Sequence, residues 1–318
     1  MKARNLLIVA GVIPIWLAVF CIPAAAQPAE FNFGVIGQVI TTANDGSPLV
    51  QAITESDADD LAFVVANGFK RVDETCSDQL YELRRDLLSN AKNGLILSLA
   101  GSDWSECKNA NGHSTAVERL SRLRELFFVD EFSFGASKIP LIRQSNAAKY
   151  RSYVENARWA VGSVLFTSVN LPSMNNHYRM EAGRNSEFED RLIANRDWLH
   201  HTFAVAKFNH MTSVVLICDG DPLQKPGTQR LFDSNIKRDG FAEIRQQLTA
   251  LAGKFPGKVL IIHNRFDGRG ARSDAIVWHG NVGELEVGTE WVKVGVKAEN
   301  PARFNATRGG ADSKTGNQ

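Results

Sequence analysis

Six short apolar runs, each closed within a few residues by Gly, Asn or Asp, constrain this chain more than any other feature. They are Phe31–Gly37, Leu61–Ala66, Leu95–Leu99, Arg158–Val169, Ser213–Ile217 and Val259–Ile262. Runs of this length with such ends read as strands buried on both faces. Between them lie stretches with helical spacing: Leu49–Ser56, Ser77–Asn90, Ala116–Phe128, Arg191–Lys207 and Phe241–Leu251. In Ala116–Phe128 the apolar positions are Leu120, Leu123, Leu126 and Phe127, one face of a 3.6-residue period. Residues Ile276–Val296 alternate polar and apolar side chains, which predicts an antiparallel pair with one wet face. Alternation of strand and helix as far as residue 263 predicts an α/β layered protein. No Pro-, Gly- or Ser-rich linker interrupts the body, so residues 27–299 read as one domain with an insertion at about 109–156. A loose tail is expected over 300–318.

The first 26 residues stand apart. Lys2 and Arg4 precede an apolar run, Leu6–Pro23, and Ala24-Ala25-Ala26 precedes Gln27. A basic start, an apolar stretch and small residues before the cut describe a secretory signal peptide. The run is nearly long enough to span a bilayer, so an uncleaved anchor is the competing reading. Pro14, Pro23 and the alanine triplet favour cleavage after Ala26 and a periplasmic or secreted protein with no membrane segment left. Losing Lys2 and Arg4 from the 36 basic residues leaves 34 against 35 acidic ones. A balance so close to zero gives no electrostatic basis for binding nucleic acid or a membrane surface.

An oxidising compartment changes the meaning of cysteine. Cys21 leaves with the signal, and Cys76, Cys107 and Cys218 remain. Cys76 sits just before a helix cap, Cys107 lies in a polar loop, and Cys218 ends an apolar strand where a buried thiol is common. This predicts a Cys76–Cys107 disulfide, with the two pairings that involve Cys218 left open.

Ligands in open α/β sheets gather at the carboxyl ends of strands. Those ends read Gly37-Gln38-Val39, Ala66-Asn67-Gly68-Phe69, Gly101-Ser102-Asp103-Trp104-Ser105-Glu106-Cys107, Cys218-Asp219-Gly220-Asp221 and His263-Asn264-Arg265-Phe266-Asp267. Together with Cys76-Ser77-Asp78, Arg124-Glu125-Leu126-Phe127-Phe128 and Pro172-Ser173-Met174-Asn175-Asn176, this order resembles the calcineurin-like metallophosphoesterase superfamily, in particular an exported bacterial subgroup. The resemblance spans most of residues 31–296 and is most specific in the Cys-Ser-Asp helix, the Trp-x-x-Cys loop and the Leu-Phe-Phe helix. It implies a β-sandwich flanked by helices. It also implies a pair of metal ions, roughly 3.5–4 Å apart, that activate water and clamp a phosphoryl group.

The ligand positions implied by the resemblance are substituted. Gln38 stands for the first Asp and Phe69 for the metal-bridging Asp. Ser102 replaces an Asn ahead of Asp103, and His263 and Asp267 replace a His-x-His pair, with Arg265 between them. The expectation is therefore a pseudoenzyme whose remnant cleft (Gln38, Asn67, Phe69, Ser102, Asp103, His263, Arg265, Asp267) needs no cofactor. Arg265 beside neutral amides points to a small anionic ligand held without hydrolysis. The alternative is a phosphoesterase with a rebuilt site, in which Asp103, Asp219, Asp221, His263 and Asp267 hold Mn, Fe or Zn. Other features read as scaffold. Asp219 and Asp221 fit turn chemistry, His200-His201 point about 100° apart on a helix, and Gly268-Arg269-Gly270 is a solvated loop.

Overall fold

A computed structural model describes residues 30–37, 47–179, 185–224, 238–265, 275–288, 291–297, 299 and 301–309. The signal-like segment, Gln38, the Gly268-Arg269-Gly270 loop and Asp267 lie outside the described residues. Among the described residues, twelve strands form two mixed sheets. The smaller has the order β12-β11-β1-β2-β3 and is built from β1 (Glu30–Ile36), β2 (Val64–Asn67), β3 (Leu95–Ser98), β11 (Val292–Lys297) and β12 (Arg303–Arg308). The larger has the order β4-β5-β6-β7-β8-β10-β9. Its strands are β4 (Ile142–Arg143), β5 (Ala157–Val161), β6 (Val164–Ser168), β7 (Ser213–Ile217), β8 (Lys258–Asn264), β9 (Val277–His279) and β10 (Val282–Val287).

Side-chain alternation along the strands sorts the core into three slabs. Phe33, Val35, Phe63 and Val65 from the smaller sheet meet Trp159, Phe166, Val215, Ile217, Leu260, Ile262 and Leu285 from the larger one. Four aromatic rings fill the middle: Phe33 stacks on Phe63 at 5.2 Å, Trp159 on Phe166 at 5.6 Å, and Phe63 meets Trp159 edge-on at 5.5 Å. Each such pair contributes about 0.5–1.5 kcal/mol beyond its buried area.

The opposite face of the smaller sheet is covered by α1 (Ser47–Asp57), α2 (Asp78–Ser89) and α4 (Ala116–Phe127). The opposite face of the larger sheet is covered by α6 (Ser186–Phe208) and α7 (Ala242–Gly253). The molecule is thus layered helix–sheet–sheet–helix, with the apolar strand runs buried on both sides. Two single turns complete the set, α3 (Gly101–Trp104) and α5 (Ser173–Asn176).

The predicted disulfide is present. Cys76 and Cys107 lie with Cα atoms 5.8 Å apart and tie the approach to α2 to the loop after α3, while Cys218 is a buried free thiol. Three expectations change. The single run Arg158–Val169 is a hairpin, because Gly162 takes φ 57° between β5 and β6. Residues 276–296 do not form one antiparallel pair: β10 lies parallel to β8 in the larger sheet, whereas β11 lies antiparallel to β1 in the smaller. The alternation reflects one covered and one wetter face in each sheet, which periodicity cannot assign to a partner. The expected loose tail includes β12, paired with β11 from Arg303 to Arg308; residues 310–318 are outside the described residues.

Candidate functional site

Parallel strands β1–β3 and β6–β8 carry their carboxyl ends to the same edge of the sandwich, where the two sheets touch through polar groups. Asn67, ending β2, donates from Nδ2 to the Cys218 carbonyl at 2.6 Å. Asn264, ending β8, donates from Nδ2 to the Asn67 carbonyl at 2.9 Å and to Asp219 Oδ1 at 2.7 Å. The other Asp219 oxygen accepts from the backbone of Gly101 at 2.6 Å and of Ser173 at 2.7 Å. Gly101 is required here: a Cβ would fall 2.8 Å from Ser173 Oγ and 3.2 Å from Asp219 Oδ2. Asp219 is fully buried, and desolvation pushes its carboxyl up against the pull of these donors.

Asp103 forms a second buried carboxylate beside this one. Its Oδ1 accepts from the backbone of Phe69 at 3.2 Å and Lys70 at 3.1 Å, and its Oδ2 from Ala100 at 2.8 Å. Burial pushes its pKa up to about 7, outweighing the N–H donors and nearby Lys70. Lys70 is itself lowered by burial and donates to the carbonyls of Arg71 and Glu74.

The adjoining turn is held in an unusual conformation. Met174, Asn175, Asn176 and His177 have φ of 55°, 61°, 54° and 56°, a run of left-handed residues with no glycine among them. This geometry costs roughly 1–2 kcal/mol per residue. Fully buried Arg191 offsets it by donating to Asn176 Oδ1 at 2.6 Å and the Asn176 carbonyl at 2.9 Å, while pairing with Glu187. Asn175 Oδ1 accepts from Gly240 at 2.7 Å. His177 packs on Trp104 at 5.0 Å, and burial lowers its imidazole to about 4.

These residues do not fit a pair of metal ions. Phe69 stacks on Phe127 at 4.8 Å and meets Tyr81 edge-on at 5.7 Å, deep in the helix-side core. Ser102 Oγ donates to the Lys70 carbonyl at 2.7 Å. Every oxygen of Asp103 and Asp219 already faces N–H donors, whose polarity is opposite to what a cation needs. The Arg265 guanidinium lies 3.7 Å from Glu286 Oε2, so the positive charge expected to meet an anion has a carboxylate beside it.

The four metal candidates of the rebuilt-site alternative that are described also separate in space, Asp267 lying outside the described residues. Asp103 and Asp219 belong to the buried knot. His263 and Asp221 lie on its rim, joined by Glu284 of β10, a residue the sequence did not single out. His263 Nε2 is 3.0 Å from Glu284 Oε1 and 3.9 Å from Asp221 Oδ1, and its Nδ1 is 3.0 Å from the Asn264 carbonyl. A carbonyl only accepts, so Nδ1 carries a proton and Nε2 is the nitrogen turned toward the carboxylates. Burial alone would lower the imidazole, but Glu284 and Asp221 outweigh it and raise it above its ordinary value. Asp221 also accepts from the backbone of Leu223 and Gln224, closing the turn predicted for it. Glu284 also lines a cavity of about 340 Å³ between α7 and strands β8 and β10, whose other walls include Leu248, Ala252, Ile261 and Val282. The only sequence trace of Glu284 is its place in the alternating 276–296 segment. The remaining isolated histidines, His113, His200, His201, His210 and His279, are exposed.

No family model matches this chain, and no curated protein matches its sequence.

Proposed function

We propose that this chain is an exported protein of calcineurin-like metallophosphoesterase architecture that acts as a binding protein and not as a phosphoesterase. The observation that carries the reading is the state of the two carboxylates at the sheet junction. Asp103 and Asp219 are fully buried and spend their oxygens on six N–H contacts from the chain itself. Carboxylates used this way fasten loops together and face donors where the metal ions that clamp a substrate phosphate would need free oxygens. The helix–sheet–sheet–helix layering, with parallel strands ending at one edge, supports the architecture. The Cys76–Cys107 bridge and the signal-like start support export.

The test is phosphomonoester and phosphodiester turnover by the mature chain in Mn²⁺, Fe²⁺ or Zn²⁺, alongside metal content. The expected result is no turnover above buffer. Two metal ions per chain, with turnover abolished in Asp103→Asn, would overturn the reading. A second reading, a phosphoesterase working from a single ion, draws on the Asp221–His263–Glu284 cluster; its mark is turnover lost in His263→Ala but kept in Asp103→Asn.

A further inference from the structure

We infer that Asp221, His263 and Glu284 form a binding site for one divalent transition-metal ion of the zinc class, at the mouth of the cavity beneath α7. Among the described residues this is the one group of three or more His, Cys, Asp or Glu side chains whose ligand atoms all lie within 4.8 Å of one another. Ligand atoms around a tetrahedral zinc ion, each about 2.0–2.2 Å from the metal, stand roughly 3.3 Å apart. The imidazole nitrogen is 3.0 Å and 3.9 Å from its two carboxylate neighbours, so small side-chain rotations close the set on an ion.

The imidazole is prepared for this role. Its Nδ1 proton is directed at the Asn264 carbonyl, an orienting contact of the kind that fixes the tautomer of metal-bound histidines and presents Nε2 to the metal. His263 is 2% exposed and set by β8, while Asp221 and Glu284 keep 18% and 25% of their side-chain surface, which leaves a way in for an ion. Once an ion displaces the Nε2 proton held against Glu284, two carboxylates and one neutral imidazole carry a formal charge of minus two, which matches a divalent cation. The mix of one nitrogen and two oxygens favours zinc-class ions over calcium or magnesium, which prefer oxygen alone. Three protein ligands also leave a position open, as in zinc sites that engage a further molecule. Glu284 also lines the cavity beneath α7, which is apolar over most of its wall. This inference stands apart from the proposed lack of phosphoesterase activity: an ion bound here without turnover leaves both intact.

The experiment is equilibrium dialysis and calorimetry of the purified mature chain, stripped with chelator, against Zn²⁺ alone, with Ca²⁺ and Mg²⁺ in parallel. One Zn²⁺ per chain is expected, weakened about 100-fold or more in His263→Ala and in Glu284→Gln. His279→Ala and the exposed pair His200→Ala/His201→Ala should bind as wild type. Substitution with Co²⁺ should give visible d–d bands that vanish in Glu284→Gln, a variant of nearly the same shape at the rim. Circular dichroism confirms that each variant is folded. Absence of Zn²⁺ binding by the folded wild type overturns the site. So does binding that survives both His263→Ala and Glu284→Gln, or a preference for Ca²⁺ or Mg²⁺.

Discussion

Two clusters of polar side chains draw on neighbouring residues, Asp219 and Asp221 after β7 and His263 and Asn264 in β8, and differ in almost every physical respect. In the knot, Asn67, Asp103, Asp219 and Asn264 are fully buried or nearly so, and each hydrogen bond joins one loop or strand end to another. On the rim, Asp221, His263 and Glu284 keep some contact with solvent and face one another. Asp219 and Asp221 are separated by one residue and belong to different clusters. A carboxylate with N–H donors on both oxygens serves as structure, whereas Glu284 and Asp221, whose Oδ1 alone takes backbone donors, converge on an imidazole nitrogen and offer a place for a cation. Residue type does not distinguish the two; the polarity of the neighbours does.

That contrast can be broken in several ways. The largest expected effect is from Phe69→Asp, which restores the residue type that the family resemblance implies at the bridging position. It would place a charge between Tyr81 and Phe127, and the mature chain should lose more than about 4 kcal/mol of stability and gain no metal. A folded Phe69→Asp variant that binds two metal ions would show that the knot is a metal centre in waiting. Asp219→Ala strands three buried donors, from Gly101, Ser173 and Asn264, and should cost about 3–5 kcal/mol in a urea melt. If its midpoint matches wild type, the knot does not hold the sheets together.

Replacing Cys76 and Cys107 with Ser opens a loop with a sequence separation of 31 and should lower stability by about 3–4 kcal/mol. Asp103 makes a pH-dependent contribution. Its folded-state pKa, pushed up to about 7, lies above the ordinary value of 3.8, so the folded chain keeps a proton that the unfolded chain releases. Its share of stability is present below about pH 4 and is lost as pH rises toward 7. Unfolding midpoints measured across that window should show this fall, and a flat profile would mean that Asp103 is ionised throughout. The smallest effect belongs to the rim: Glu284→Gln in metal-free protein should stay within about 1 kcal/mol of wild type.

Much of this molecule was legible before its tertiary structure. The apolar runs at 31–37, 61–66, 95–99, 213–217 and 259–262 each contain or overlap a strand, and the helical stretches from Ser77 and Ala116 fall within one residue of α2 and α4. Local periodicity decides such elements because burial on one or two faces is written into successive residues. The disulfide was legible too, since of Cys76, Cys107 and Cys218 only the first two lie outside an apolar strand. Pairing between distant strands was not. Whether the segment 276–296 folds on itself or splits between two sheets depends on what lies beside it, and β8 and β1 are its partners.

The sequence by itself determined the α/β layering and favoured the Cys76–Cys107 bridge over the other pairings. The tertiary structure alone decided the state of the acids that remain. A carboxylate's role depends on whether donors or acceptors face it across a few ångströms, and those neighbours come from strands up to about 200 residues apart, as with Asn67 and Asn264, separated by 197. Glu284 shows the same limit from the other side: β10 lies beside β8, and that placement alone brings its carboxylate 3.0 Å from His263.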